Sequence, residues 1–258
     1  MKNIYYESLK DKTDTIFAEK QKEFSGRLHF HRAFEIAYIL NGETDYSVED
    51  DAFTAEADQI VFVNRNYKHA TYDKKTNEKY VIAVPEKLTQ DISSLFEKQT
   101  LPPLLADKEF NKTLLSFFKA LTENKDNMSK TTAKGYADVI FGSVATHYDM
   151  VELKYKSKNT SVIEDILSYI DNHYAEPLSL ESISLNFGYN KSYFSRMFNQ
   201  YIGMSLNNYI NTVRYNQFEK EYKNKPEANI ASLVFECGFP SLSTFYRVRE
   251  LQKHINTR

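Results

Sequence analysis

Apolar and polar positions along the first hundred residues occur in short runs that are typical of β-strands. The runs are rich in aromatic and β-branched residues, and turn-forming residues separate them. They are FEIAYIL (34–40), TDYSVED (44–50), QIVFVN (59–64) and KYVIAVP (79–85). Asn41-Gly42 lies between the first two runs, and both residues tolerate the positive φ angles of a two-residue hairpin turn. Short strands at this spacing predict a β-sandwich or barrel for residues 1–100.

The pattern changes after residue 100, where apolar residues recur at helical spacing. The two resulting stripes are Leu114, Leu115, Phe118 and Leu121, and then Val139, Ile140, Val144 and Tyr148. A polar and basic segment, KYKSKNT (154–160), follows them and has the composition of a linker. We therefore predict a helical region over residues 101–153 and a separate all-helical domain over residues 160–258.

The last hundred residues contain an internal repeat. SLESISLNFGYNKSYFSRMF (179–198) and NIASLVFECGFPSLSTFYRV (229–248) each predict a short helix, a glycine-aromatic turn and a second helix. Gly188 and Gly238 fit the turns because a Cβ atom disfavours the backbone conformation needed there. Two copies of a helix-turn-helix pattern are far more specific than one. A helix over about residues 205–223 joins them and would be about 28 Å long, near the ~34 Å between successive major-groove faces of DNA.

Capping residues support these helix boundaries. Ser179 and Asn229 precede the first helix of each copy, and Ser241 precedes the last helix. The outward positions of the two second helices are candidate DNA contacts. They are Lys191, Ser192, Tyr193, Ser195, Arg196 and Asn199 in the first copy, and Leu242, Ser243, Thr244 and Arg247 in the second. Arg196 and Arg247 occupy matched positions, and arginine can form two hydrogen bonds to guanine.

Charge and composition narrow the class of protein. The net charge is −2 overall, but residues 188–258 hold ten Lys/Arg and five Asp/Glu, so we expect salt-sensitive DNA binding. The single cysteine, Cys237, excludes an internal disulfide framework and a cysteine metal cluster. No apolar run approaches the ~20 residues of a membrane helix, and MKNIYYESLKDK at the start lacks a signal-peptide pattern. We expect a cytoplasmic protein with no membrane partner.

The tandem repeat resembles the DNA-binding domain of the AraC/XylS family of bacterial transcription regulators. The matching stretches are LSLESISLNFGYNKSYFSRMFNQYIGMSLNNYINTVR and NIASLVFECGFPSLSTFYRV, in which ECGFPSLSTFYR is the most specific part. The resemblance implies an α+β two-domain fold. Residues 1–100 would form a cupin-like β-barrel that binds an effector, residues 101–153 a helical dimerisation region, and residues 160–258 an all-α domain with two helix-turn-helix motifs.

The same resemblance implies what the protein does. It would be an activator or repressor and not an enzyme, with double-stranded DNA, a small-molecule effector such as a sugar, a second copy of the chain and RNA polymerase as partners. One position departs from the repeat. Arg249 stands where the first copy has the apolar Phe198, so we expect weaker packing of the last helix.

Histidines near the first strand are the second set of candidate functional residues. In GRLHFHRAFEIAYILNG (26–42), His29, His31 and Glu35 have the spacing H-x-H-x3-E, which resembles the first cupin metal motif. His69 lies where the second cupin motif keeps its histidine, although Asn64 and Asn66 replace the proline and glycine of that motif. Side chains two apart in a strand share a face, so His29 and His31 can point into the barrel.

Three interpretations of these residues stay open. In the first, the histidines serve only as hydrogen-bonding residues at the mouth of the barrel. They can also form an effector pocket, which we favour because small barrels hold ligands at the mouth. That pocket would consist of His29, His31, Glu35, Tyr38 and His69. The third interpretation, which we do not favour, is a divalent metal such as Zn, Fe or Mn held by His29, His31, Glu35 and His69. The corresponding alternatives for the whole chain are a metal-dependent cupin enzyme and an adaptor that no longer binds DNA.

Overall fold

The chain divides into two compact units, residues 1–154 and residues 155–258. The computed structural model describes residues 5–7, 15–73, 76–96, 98–124, 127–153 and 158–256. Strands and helices make up the first unit, whereas the described part of the second unit contains helices and their connections. The predicted α+β two-domain fold is therefore confirmed.

Two five-stranded sheets form the framework of the described part of the first unit. The first sheet contains β1 (Tyr5–Tyr6), β3 (His29–Phe30), β5 (Glu43–Val48), β6 (Asp51–Glu56) and β8 (His69–Asp73). The second sheet contains β2 (Phe17–Lys22), β4 (Phe34–Asn41), β7 (Ile60–Val63), β9 (Glu78–Val84) and β11 (Leu104–Leu105). Their spatial orders are β1-β3-β8-β5-β6 and β11-β7-β4-β9-β2. A separate two-stranded ladder pairs β10 (Gln99–Thr100) with β12 (Val151–Glu152).

Alternation along β4 separates two apolar cores. Ala37 and Ile39 point toward the first sheet and pack with Tyr46 and Val48 of β5. The next residues along β4 point the other way, as period-two alternation requires. Phe34, Ile36 and Tyr38 thus belong to a larger core outside the second sheet. Residues of β4 can therefore face either the space between the sheets or the helices, but not both.

Among the described residues, three helices cover that outer face of the second sheet, after a short 3-10 turn at Glu86–Leu88. They are α1 (Gln90–Leu95), α2 (Lys108–Glu123) and α3 (Lys130–His147). Phe118 of α2 and Phe141 of α3 are fully buried in the same core as Phe34. Most of the predicted helical stripes are buried as expected, but Val139 is exposed. Residues 101–153 thus share one core with the strands.

Asn41-Gly42 does not form the predicted hairpin turn. Gly42 has the expected positive φ of 71°. However, β4 pairs with β7 and β9, whereas β5 pairs with β6 and β8. The glycine carries the chain from one sheet to the other. A Cβ atom there would lie 2.5 Å from the carbonyl oxygen of Thr76, so close approach of the backbone as well as φ requires glycine.

Six helices form the described part of the second unit. They are α4 (Lys158–His173), α5 (Leu180–Asn186), α6 (Lys191–Ile202), α7 (Leu206–Asn224), α8 (Ile230–Glu236) and α9 (Leu242–Asn256). Helix α4 begins inside the predicted linker, of which residues 154–157 lie outside the described residues. Helix α7 is the predicted joining helix. Ser179 and Asn229 cap α5 and α8 through their side chains, as predicted.

The last helix packs despite its arginine. Phe245 and Val248 of α9 are buried, and the buried Gln252 donates a hydrogen bond to Thr212 of α7 at 3.3 Å. Arg249 is only half-buried. Two buried apolar residues and a hydrogen bond to α7 thus hold the helix in place.

Within the described ranges, no helix combines the length and the apolar character that crossing a membrane requires.

Candidate functional site: a histidine cluster and two helix-turn-helix motifs

Neighbouring strands bring the histidines together. His29 of β3 lies opposite His69 of β8 in the antiparallel register, so their side chains share one face. His31 follows β3 directly, and Glu35 lies on the face of β4 that also carries Ala37 and Ile39. All four side chains are buried. The centroids of the three rings are 4.1 Å to 5.8 Å apart.

Each imidazole is held by a backbone carbonyl close to it in sequence. The Nδ1 atoms of His29, His31 and His69 lie 2.7 Å, 3.0 Å and 2.9 Å from the carbonyl oxygens of Arg27, Ala33 and Tyr67. A carbonyl oxygen only accepts hydrogen bonds, so each Nδ1 carries the proton. The neutral form of every ring then has its lone pair on Nε2.

Two carboxylates face these Nε2 atoms. Glu35 places one oxygen 3.2 Å from Nε2 of His31 and the other 3.8 Å from Nε2 of His69. Glu7 places an oxygen 3.0 Å from Nε2 of His29. One ring nitrogen from each histidine lies within 4.8 Å of the other two, which is a group that could hold a metal ion. The cluster can bind a cation, or exchange hydrogen bonds with a polar ligand.

Glu7 is a residue of this cluster that sequence reasoning missed. It follows β1, which pairs in parallel with β3, and its backbone N–H donates to the carbonyl of Phe30. The pairing joins segments more than twenty residues apart. No local sequence pattern around Glu7 indicates this pairing.

Tyr38 does not join the cluster, although we predicted it as an effector-binding residue. It lies on the opposite face of β4 from Glu35, where its ring packs against Phe118. Its hydroxyl donates to Asp58 at 2.8 Å. Burial, and then this bond to Asp58, raise the pKa of Tyr38. Its position is that of a core residue because three positions along a strand reverse the face.

The first helix-turn-helix motif consists of α5, the turn at Gly188 and α6. Gly188 has a φ of 73°, and the side chain of Asn190 caps α6 by accepting from the N–H of Tyr193. Phe194 and Phe198 are buried on the inner face of α6. The predicted DNA-contacting residues lie on the other side of this helix. Lys191, Ser192, Tyr193, Arg196 and Asn199 are exposed, and Ser195 is half-buried.

The second motif repeats this arrangement with α8, Gly238 and α9. Gly238 has a φ of 81°, and Ser241 accepts a hydrogen bond from the N–H of Thr244, as predicted for a cap. Ser243 and Arg247 are exposed, and Thr244 is half-buried. Leu242 is half-buried and packs against the apolar core of this motif, so only part of it is available to DNA.

Tyr246 is an exposed aromatic residue that we did not predict as a contact. It is 46% exposed and lies beside Arg247 on α9. Its position corresponds to Ser195 of the first motif when Phe194 and Phe245, both fully buried, are aligned. The matched positions could have indicated it, because Ser195 was already a candidate.

Two known domain families match the chain, one in each unit. Residues 13–133 match the AraC-like ligand binding domain, and residues 183–252 match the helix-turn-helix domain. The transcriptional regulator YdiP of Escherichia coli is 24% identical over 246 residues, which cover 90% of this chain and 79% of YdiP. The regulatory protein SoxS of Escherichia coli is 31% identical over 87 residues, which cover 34% of this chain and 80% of SoxS. The chain belongs to the AraC family of transcription regulators.

Membership of the AraC family confirms that the chain is a DNA-binding regulator with a ligand-binding domain, and not an enzyme. Structures of ToxT from Vibrio cholerae have the same fold. An apo ToxT variant aligns with a TM-score of 0.53 and 13% identity, over 93% of this chain and 94% of ToxT. ToxT with a bound unsaturated fatty acid aligns with a TM-score of 0.50 and 14% identity, over 93% and 92%.

Proposed function

We propose that this AraC-family chain reads a specific DNA sequence through α6 and α9 and is controlled by a polar small molecule bound at the histidine cluster. One observation carries the DNA part of the proposal. Arg196 and Arg247 occupy the same position in two capped helix-turn-helix motifs, and both are exposed. A structural arginine would be expected to bury its guanidinium, as Arg214 does.

The exposed residues around each arginine suit base and phosphate contacts. Arginine bonds to O6 and N7 of guanine, and serine and asparagine bond to bases or phosphates. Helix α7 separates the motifs with 19 residues, a length of about 28 Å. That is close to the ~34 Å between successive major-groove faces of DNA. We therefore propose that the two motifs contact two groups of base pairs about one helical turn apart.

Selection from a random pool tests the DNA proposal without knowledge of the operator. The full chain is incubated with randomised 30-base-pair duplexes at low salt, and bound DNA is recovered, amplified and sequenced. We expect one enriched sequence with two conserved clusters about 10 base pairs apart. Arg196→Ala should weaken binding to the enriched sequence by about 1–3 kcal/mol and relax the preference at one base pair of one conserved cluster. Arg247→Ala should have the same effect at a base pair of the other cluster.

Lys119→Ala is the matched control. It also removes one positive charge, but from an exposed position in the first unit. It should leave the enriched sequence and its affinity unchanged. Absence of any DNA shift at low salt would contradict the proposal and favour the adaptor interpretation.

Buried polar groups support the effector part of the proposal. His29, His31, His69 and Glu35 together present nitrogen and oxygen atoms that favour a ligand rich in hydroxyl or carboxylate oxygens, such as a sugar or a hydroxy acid. A thermal-shift screen with sugars, hydroxy acids and fatty acids tests this. We expect stabilisation by an oxygen-rich compound that His31→Gln abolishes. Stabilisation by fatty acids alone would contradict it.

A homodimer formed through residues 101–153 and contact with RNA polymerase stay predictions. Cytoplasmic localisation also stays a prediction.

A further inference from the structure

We propose that His29, His31, His69 and Glu35 bind one divalent transition-metal ion of the Zn²⁺ type, with Glu7 as a second carboxylate beside it. The inference deepens the proposed effector site and rests on it, because the ion would be the group that the effector's oxygen atoms contact. Hydrogen bonding, distances and charge each support the proposal.

Hydrogen bonding prepares the three rings for a metal ion. All three Nδ1–H groups donate to backbone carbonyls, at 2.7–3.0 Å. Such a bond fixes the tautomer and the ring orientation and makes Nε2 a better ligand, which is the usual arrangement around metal-binding histidines. The three anchoring carbonyls belong to Arg27, Ala33 and Tyr67, each two residues from its histidine. Two separate segments, residues 27–33 and 67–69, thus provide the same anchoring hydrogen bond.

Each facing carboxylate lies where a proton or a metal ion can bridge it to a histidine nitrogen. A neutral His31 with its proton on Nδ1 turns an Nε2 lone pair toward an oxygen of Glu35 at 3.2 Å. Two acceptors at this distance repel each other unless a proton or a metal ion lies between them. His29 and Glu7 repeat the arrangement at 3.0 Å. The side chain of His31 is fully buried and that of Glu35 is 6% exposed, so water screens this repulsion poorly.

Distances in the cluster suit an ion after a small contraction. One nitrogen from each histidine lies within 4.8 Å of the others, so a point central to all three would be at most about 2.8 Å from each. Zinc binds imidazole nitrogen at about 2.0–2.1 Å. Shifts of less than about 1 Å per side chain would close the site, and rotation of the side chains can supply them.

Charge and donor chemistry are both compatible with a divalent ion. Two carboxylates, Glu7 and Glu35, supply two negative charges, which one divalent ion balances. Three imidazoles and one carboxylate also form a donor set that binds zinc and cobalt in preference to magnesium and calcium, which take oxygen ligands.

Cobalt binding to the full-length protein tests the proposal, because Co²⁺ replaces Zn²⁺ and has visible absorption bands that report its ligands. The protein is freed of metal with a chelator and titrated with Co²⁺, and then with Zn²⁺ in competition. We expect a saturable visible band at one Co²⁺ per chain, its loss on adding one equivalent of Zn²⁺, and no response to Mg²⁺. Absence of a saturable band would overturn the proposal.

Matched variants assign the ligands. His31→Gln and the nearly isosteric Glu35→Gln should each weaken Co²⁺ binding by more than about a hundredfold, the upper end of what outer-shell changes cost. His147→Gln and His173→Gln are controls, since both residues lie on helices outside the cluster. They should bind Co²⁺ as the wild type does. Equal affinity of Glu35→Gln and wild type, with far-ultraviolet circular dichroism confirming that both are folded, would overturn the assignment.

Parallel measurements separate this inference from the proposed function. The same metal-free and Co²⁺-loaded preparations are tested for a shift of the enriched DNA and for thermal stabilisation by oxygen-rich compounds. A Co²⁺ band without any DNA shift supports the metal site while contradicting the DNA proposal. Normal DNA and effector responses without a Co²⁺ band contradict the metal site and leave the regulator proposal standing.

Discussion

Gly238 lies directly against the backbone of Ala175. A Cβ atom on Gly238 would be 2.7 Å from the Cα atom of Ala175 and 2.8 Å from its carbonyl oxygen. Gly188, at the matched turn of the first motif, has nothing within 4 Å of the same hypothetical atom. The two glycines share a positive φ but differ in surroundings, because only the second turn rests on the segment after α4.

Alanine substitutions at these glycines should therefore have unequal effects. In Gly188→Ala the only strain comes from the left-handed backbone conformation, so we expect the unfolding free energy to fall by about 1 kcal/mol. In Gly238→Ala the new Cβ atom adds overlap with backbone atoms of Ala175, which cannot rotate away, to the same conformational strain. We expect the unfolding free energy to fall by about 2–4 kcal/mol. Urea unfolding of the full chain, followed by circular dichroism, measures both. Equal losses in the two variants would show that the contact with Ala175 relaxes.

Arg214 should stabilise the second unit through its guanidinium. It is 6% exposed, and it donates to the carbonyls of Tyr174 at 2.7 Å and Glu176 at 2.8 Å. Burial lowers the pKa of Arg214, which reflects the cost of desolvating the charge. Arg214→Met would leave two carbonyls without these charged donors, so we expect a loss of about 2–4 kcal/mol in urea unfolding.

The control for Arg214 is Arg247→Met. Arg247 is exposed on α9, so its replacement should change the unfolding free energy by less than about 0.5 kcal/mol. If both variants lost the same stability, the bonds to the segment after α4 would not be the cause.

Cys237 should be slow to react with alkylating reagents. Burial of the thiol, and then the charges of Glu221 and Glu236, raise its pKa to about 11 from 9.0. At pH 8 the folded protein therefore has about a hundredfold less thiolate than the unfolded chain. Iodoacetamide labelling followed by mass spectrometry should be at least that much slower in buffer than in urea. Comparable rates would show that the thiol is accessible in the folded state.

The same shift predicts the direction of a pH dependence. The folded state holds the thiol proton more tightly, so this contribution to stability is complete below pH 9 and is lost as the pH rises toward 11. The urea midpoint of Cys237→Ala should fall less over this range than that of the wild type. A parallel decline would assign the pH dependence to other groups.

Tyr38 and Glu35 should give opposite results although they are three residues apart. Tyr38→Phe removes the hydroxyl that donates to Asp58, and should cost about 1 kcal/mol of stability without changing Co²⁺ binding. Glu35→Gln should abolish tight Co²⁺ binding. Thermal unfolding and the Co²⁺ titration measure the two effects. Weaker Co²⁺ binding by Tyr38→Phe would mean that the two faces of β4 are coupled.

Local signals were sufficient for the helix-turn-helix motifs. Ser179 and Asn229 cap helices where the sequence predicts, and Gly188 and Gly238 have the predicted positive φ. Caps and glycine turns depend on backbone groups within a few residues, so their signals are present in the sequence itself. The spacing of His29, His31 and Glu35 marked them as candidates, but His31 follows β3 and Glu35 lies on β4 of the other sheet, so strand alternation alone does not bring them together.

Only the tertiary structure decided which segments meet. Gly42 has the backbone of a turn, but pairing with distant strands makes it a crossing between sheets. Glu7 joins the histidines through a parallel pairing, and Tyr38 faces helices that follow it by some eighty residues. The sequence determined the elements, their caps and the candidate side chains, because these follow from local backbone chemistry. Which segments pack against each face of a strand or helix depends on the burial of apolar surface across the whole chain. A short stretch of sequence does not contain that information.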